Sequence, residues 1–298
     1  MAAENGGREQ GGVAGKRVLL TGATNGIGLA AARELGQRGA LLTLVARDRE
    51  RGEAAVREVA SVSQDGAQPD LLLADLASQA EVRRLAEEAL SRYERIDVLA
   101  NNAGAMFRQR TLTEKGIELT WALNHLAPFL LTALLRERLE ESAPARVVTT
   151  ASDAHKGARI PFDDMSAERS YSRSGFGRYG ETKLANILFT AELGRRLEGT
   201  GVNAYCFHPG LVASGFNHNN GAMMGTLMLL ARPISRSPER GARTLVWLAE
   251  SAAVQEETGG YYADEHRATP SREAQDMEAA GRLWELSEAQ TQAFGAGA

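Results

Sequence analysis

Cysteine is nearly absent from this chain. One residue, Cys206, stands among 298, which excludes an intrachain disulfide framework and a cysteine-based metal cluster. It lies between Tyr205 and Phe207, where a small buried apolar side chain is expected. An excess of one charge is also missing: the formal net charge is -4 and the pI about 5.9. That balance points away from a nucleic-acid binder and from a polybasic membrane anchor. The five histidines (His125, His155, His208, His218, His266) have no close metal-ligand spacing. No apolar run is long enough to span a bilayer. The N-terminus is rich in Gly, Glu, Gln and Ala and has no apolar centre, so residues 1–14 are expected to form a flexible tail rather than a signal or anchor. A soluble, cytoplasmic protein is therefore expected, and the single cysteine suits a reducing compartment. Internal repeats and a Pro/Ser-rich linker are lacking too, so 15–298 is expected to be one domain.

What the chain does have is alternation. Short, nearly continuous apolar runs occur at Arg17–Leu20, Leu41–Val45, Asp70–Leu73, Val98–Ala100, Arg146–Thr150, Val202–Phe207 and Gly260–Tyr262. Runs of this kind are expected of strands buried on both faces. Helical patterns fall between them, at Gly28–Arg38, Arg49–Val62, Ala80–Tyr93, Leu112–Leu139, Tyr179–Leu197 and Arg236–Ala249. The order predicts an α/β fold, a single doubly wound parallel sheet of Rossmann type with helices on both faces and ligands at the carboxyl ends of its strands.

The first strand runs into Thr21-Gly22-Ala23-Thr24-Asn25-Gly26-Ile27-Gly28 and then a helix. Glycines at 22, 26 and 28 let the backbone turn tightly and approach a pyrophosphate, and the following helix N-terminus offers free N–H groups. An ordinary glycine-rich turn is the plain alternative, and the strand–loop–helix context favours the nucleotide.

Farther along, Tyr179 and Lys183 stand four residues apart on a predicted helix and so share a face. An ammonium beside a phenol favours the phenolate and is expected to draw the tyrosine pKa down, so that the pair can exchange a proton with an alcohol or carbonyl. An exposed helix face is the alternative for this pair taken alone.

These motifs together resemble the short-chain dehydrogenase/reductase family, whose loop is Thr-Gly-x-x-x-Gly-x-Gly. Asp75-Leu76 looks like the family's adenine-binding pair, Asn102-Ala103-Gly104 (after Asn101) like its Asn-Asn-Ala-Gly, and Pro209-Gly210, Val212 and Ser214 like its nicotinamide-side segment. Asn124, Ser152, Tyr179 and Lys183 fall where the family's catalytic tetrad falls. The resemblance implies that Tyr179 transfers the proton, Ser152 holds the substrate oxygen, Lys183 tunes the tyrosine and binds the nicotinamide ribose, and Asn124 positions a water. It also implies cofactor contacts from Gly22, Thr24, Asn25, Gly26, Ile27 and Gly28. The longer Ser152–Tyr179 interval, with Asn124-His125-Leu126, Lys183-Leu184-Ala185-Asn186 and Leu283-Trp284-Glu285-Leu286, is similar to the retinol dehydrogenase-like branch.

Cofactor choice turns on the end of the second strand, Val45-Ala46-Arg47-Asp48. Ala46 stands where members preferring NAD carry an acid, and Arg47 can bind a 2′-phosphate. NADP(H) is expected, with Asp48 reading a free ribose hydroxyl, hence NAD(H), as the alternative. His125 and His155 are expected to be structural or supporting groups, and His208 to cap a strand end. The apolar stretch Met223–Leu230, flanked by Gly215 and Gly221, reads as a substrate lid around 214–238, as a buried helix, or as a membrane-surface contact. A lid would imply a small apolar carbonyl or alcohol substrate. The expected activity is hydride transfer between NADP(H) and such a substrate; the opposing reading is a non-catalytic NADP(H) sensor or docking module. No nucleic acid, metal or membrane span is expected, and the helices Leu112–Leu139 and Tyr179–Leu197 would supply the face of a homodimer.

Overall fold

The structure is a computed structural model and describes residues 12–172, 174–212 and 235–292. In chain order these form β1 (Arg17–Thr21), α1 (Gly26–Gln37), β2 (Leu41–Ala46), α2 (Arg49–Ala60), β3 (Asp70–Leu73), α3 (Gln79–Arg92) and β4 (Val98–Asn101). Then come α4 (Leu119–Trp121), a π-turn (Ala122–Leu126), α5 (Ala127–Glu141), β5 (Ala145–Thr150), α6 (Phe176–Arg196) and β6 (Val202–His208). The chain closes with α7 (Pro238–Glu250), β7 (Gly260–Ala263), β8 (His266–Arg267) and α8 (Met277–Thr291).

The strands lie in the order β3-β2-β1-β4-β5-β6-β7-β8. All neighbours are parallel except β8, which returns antiparallel to β7. Burial on both faces explains the continuous apolar runs. Val18 and Leu20 face one core with Leu42, Leu44, Ala100 and Phe207 beneath α1, α2 and α7. Leu19 faces the other, with Leu99, Val147 and Ala204 beneath α3, α5 and α6. Each fully buried leucine of this kind contributes roughly 1.5–3 kcal/mol. The strand order reverses between β1 and β4, and the crevice at their carboxyl ends is where such sheets bind ligands.

Two parts of the sequence reading need correction. The helix expected from Leu112 does not begin there: Leu112 and Glu118 form an antiparallel bridge around a turn at Gly116, whose φ of +74° suits glycine. Helical structure starts only at Leu119. The expected set of helices also omits α8, which packs along α6. Its Trp284 lies 5.9 Å from Phe189, stacked, and 4.9 Å edge-on from Phe129. The face expected to serve a dimer is thus partly covered by the chain's own last helix. Among the described residues no helix is long and apolar enough to cross a membrane.

Candidate active site

The loop after β1 is built on backbone approach. A Cβ on Gly28 would stand 2.1 Å from Gly22 O, and one on Gly22 would stand 2.8 Å from Ala103 Cα. Gly22 and Gly26 also hold φ of +68° and +52°, which favours glycine at both. Asn25 precedes α1 in extended conformation without a side-chain cap, and the first turn carries no acid. Thr24 is half-buried and Asn25 exposed. The N–H groups of Gly26, Ile27 and Gly28 therefore open the helix with its positive dipole end uncompensated.

Asn102 braces this loop. Its Nδ2 donates to Thr21 O (3.1 Å) and Gly22 O (3.2 Å), and its Oδ1 accepts from Thr150 Oγ1 at 3.3 Å. Thr21, which sequence reasoning passed over, accepts on Oγ1 from the backbone N–H groups of Asn102 and Ala103. The Asn102 side chain is thus spent on the loop itself.

At the end of β2, Asp48 caps α2 by accepting from Arg51 N at 2.9 Å. Arg47 is exposed beside it and has no hydrogen bond or ion pair to other described residues. After β3, Asp75 accepts from Ala77 N at 3.0 Å and Leu76 packs against the second core. Beyond β6, Pro209 is buried, Gly210 has φ +83°, and Val212 bridges to Arg236. Val212 and Ile27 converge over Gly241, where a Cβ would meet them at 2.6 and 3.2 Å. Ser214 and the expected lid from 214 to 234 lie outside the described residues.

The four residues of the expected tetrad come together at the crevice. Ser152 caps a 3-10 turn by accepting from Ala154 N at 3.2 Å. Its hydroxyl faces the Tyr179 phenol and favours the charged form of that group. Lys183, buried, donates from Nζ to Thr150 O at 2.9 Å. Asn124 lies within the π-turn; its Oδ1 accepts from Ala105 N at 2.8 Å, while its Nδ2 donates to Ala105 O at 2.8 Å and Thr182 Oγ1 at 3.1 Å. Gly104 sits over this group: a Cβ there would be 3.2 Å from Asn124 Oδ1 and 3.5 Å from Lys183 Nζ.

The electrostatics correct one expectation. Burial pushes the Tyr179 phenol up to about 12, with the Ser152 hydroxyl opposing. It pushes Lys183 down to about 8. The ammonium is aimed at Thr150 O and lies 5.4 Å from the centre of the phenol ring, so desolvation outweighs the expected attraction at both groups.

Two histidines brace the Ser152 turn. His155 Nδ1 donates to Ser152 O at 2.7 Å and Nε2 accepts from Ser271 N at 3.1 Å, which sets its tautomer. His208 Nδ1 accepts from Asp153 N at 3.1 Å and ties the end of β6 to the Ser152 turn. Sequence reading also missed a buried ion pair one residue before Tyr179. Arg178 Nε donates to Glu118 Oε2 at 2.8 Å, with side chains 1% and 0% exposed. Glu118 accepts as well from the N–H groups of Thr120 and Trp121. The Arg178 guanidinium stacks over Trp121 at 4.8 Å. The Tyr171 hydroxyl joins them, donating to Phe107 O at 2.8 Å. Glu118 and Arg178 are 60 residues apart, so no local pattern marks the pair.

The sequence model of short chain dehydrogenases matches residues 16–225. A protein of Streptomyces sp. (strain C5), provisionally named a daunorubicin C-13 ketoreductase, DnrU, is 43% identical over 95% of both chains. Human retinol dehydrogenase 12 is 41% identical over 92% of this chain and 85% of its own. A crystal structure of an uncharacterized protein from Mycobacterium paratuberculosis superposes with a TM-score of 0.76 at 33% identity, covering 94% of this chain and 95% of that one. The sheet order, the glycine loop and these relatives agree: the chain belongs to the short chain dehydrogenase family, is retinol dehydrogenase-like within it, and is an NAD(P)-dependent oxidoreductase acting on a CH–OH group.

Proposed function

We propose that this oxidoreductase uses NADP(H) to interconvert an apolar alcohol and its aldehyde or ketone, with Tyr179 as the proton-transfer group. The observation that carries the reading is the grouping of Asn124 and Lys183 beneath Gly104 with Tyr179 beside both Lys183 and Ser152, at the carboxyl ends of the strands where the strand order reverses.

The residues present fit a dinucleotide. At Gly22 and Gly28 the loop leaves no room for a side chain, and α1 begins with uncapped N–H groups, which suits a pyrophosphate. Arg47, exposed at the end of β2, would hold a 2′-phosphate. Asp48 is committed to the α2 cap, which supports NADP(H) over NAD(H). Asp75 and Leu76 would flank the adenine, Ala103 and Gly104 the ribose side, and Pro209, Gly210 and Val212 the nicotinamide end. When bound, the cofactor supplies or accepts the hydride.

The chain's own residues handle the proton. Ser152 would hydrogen-bond the substrate oxygen and fix it beside Tyr179. With its phenol pushed up to about 12, Tyr179 holds its proton near neutral pH and is set to act as an acid, protonating the alkoxide formed in reduction. Lys183 supplies positive charge behind it. An apolar substrate is supported by two exposed side chains: Phe176, 56% exposed with its ring 6.4 Å from that of Tyr179, and Leu211, 53% exposed, directly after Gly210.

The test is fluorescence titration of the purified protein with NADPH and NADH, then turnover of a panel of apolar and polar aldehydes and ketones. Tighter NADPH binding with turnover of apolar carbonyls is expected. Equal affinity for both nucleotides, or preference for polar substrates, would contradict the reading.

A further inference from the structure

Lys183 is held by more than its own hydrogen bond. Thr150 O accepts from Lys183 Nζ at 2.9 Å and also from Asn186 Nδ2 at 3.3 Å. Asn186 in turn faces His125, whose Nδ1 lies 3.4 Å from Asn186 Oδ1. On the far side of the imidazole, Nε2 lies 2.9 Å from Ser287 Oγ in α8. Ser287 Oγ also lies 2.8 Å from Leu283 O, so its one proton is shared between that carbonyl and Nε2; with the ring proton on Nδ1, His125 donates to Asn186, which donates to Thr150 O. All four side chains along this path (Lys183, Asn186, His125, Ser287) are at most 2% exposed.

The π-turn makes this possible. Asn124 and His125 are consecutive, yet both reach α6, Asn124 to Thr182 and His125 to Asn186. In a regular α-helix adjacent residues point about 100° apart, and the extra residue in a π-turn relaxes that constraint. Thr182 and Asn186 are one helical turn apart and straddle Lys183. The turn therefore grips α6 on both sides of the lysine.

We propose that His125 is a positioning residue for the reaction, holding Lys183 in place through Asn186 and Thr150 O and anchored in turn by Ser287 of the last helix. This rests on the reading that Lys183 serves catalysis. A polar ring here is otherwise a poor choice: it lies among Trp121 (4.6 Å between ring centres), Phe129 (6.3 Å) and Phe189 (6.3 Å), where an apolar ring would pack without the cost of polar burial. Burial keeps the imidazole neutral, down to about 3, and Arg178 is the charged group that adds to this. A neutral bridge aligns Lys183 without repelling its ammonium.

The test compares His125→Phe, His125→Asn, Ser287→Ala and Lys183→Ala in NADPH-dependent reduction, reading kcat, KM and the pH profile of kcat. His125→Phe keeps a ring in the aromatic nest and removes both polar contacts. Its kcat should fall about tenfold, the size of one lost hydrogen bond, with KM unchanged and the limb belonging to Lys183 displaced. His125→Asn should recover part of the loss. Ser287→Ala should lower kcat by about threefold, which keeps the proposal testable if His125→Phe does not fold. Wild-type kcat and pH profile in His125→Phe would overturn it, as would a loss that His125→Asn does not relieve, or an unfolded His125→Phe beside an unaffected Ser287→Ala. If Lys183→Ala itself kept full kcat, the reading of the whole site would fail, and the role of His125 with it.

Discussion

Lys183 donates its ammonium to the carbonyl oxygen of Thr150 at 2.9 Å, at the end of β5. The contact fixes the lysine against the sheet, with the Tyr179 ring centre 5.4 Å from its ammonium, and it places a buried charge at the centre of the site. Stability and activity should pull in opposite directions there.

The folded-state pKa of Lys183 is pushed down to about 8 from 10.5. The unfolded chain therefore binds more protons than the folded one between those values, and this group's contribution to stability rises with pH across that window. Below about pH 8 the penalty of burying the ammonium is fully present. Lys183→Met should raise stability at pH 7 by about 3 kcal/mol, with the gain vanishing above pH 10.5, while turnover is lost. Denaturant melts at pH 7 and pH 10.5 check this.

Arg47 should decide cofactor choice. Arg47→Ala removes a charge-assisted contact worth about 1.5–3 kcal/mol, so NADPH affinity should fall about ten- to a hundredfold while NADH affinity changes little. Asp48→Ala should leave the selectivity alone and cost about 1 kcal/mol through the lost α2 cap. Fluorescence titrations and melts of the two variants separate these effects.

Arg178→Ala should cost about 3–5 kcal/mol, because Glu118 would be left buried and unpaired. Pairing it with Glu118→Gln should return part of that loss. A double-mutant cycle in urea measures the coupling.

Trp284→Ala should cost about 3–5 kcal/mol. It empties the space beside the Phe129–Phe189 ring pair and removes the ring under the Arg196 guanidinium, 4.3 Å away. Thermal melts report the loss.

The parallel sheet was legible because strands buried on both faces show near-continuous apolar runs, as Val18-Leu19-Leu20 does. Motif spacing was also enough to pick out four residues, Asn124, Ser152, Tyr179 and Lys183, that the fold brings near one another. Three things were not. Residues 112–118 contain good helix formers, but Gly116 turns with positive φ and the segment pairs with itself. The last helix did carry a signal: Ala280, Leu283, Trp284 and Ser287 lie on one face after the Asp276 cap, a pattern weakened by the small and polar residues among its buried positions. The proton affinity of Tyr179 was misjudged because spacing reveals a neighbouring lysine but not how deeply both groups are buried.

The most direct measurement of the central claim is the single-turnover rate of NADPH oxidation by an apolar ketone at pH 7, in the wild type and in Tyr179→Phe, with nucleotide affinity measured on both. The account predicts unchanged NADPH binding and a rate lower by about a hundredfold or more in the variant. A Tyr179→Phe enzyme that binds NADPH and turns over at the wild-type rate would contradict it.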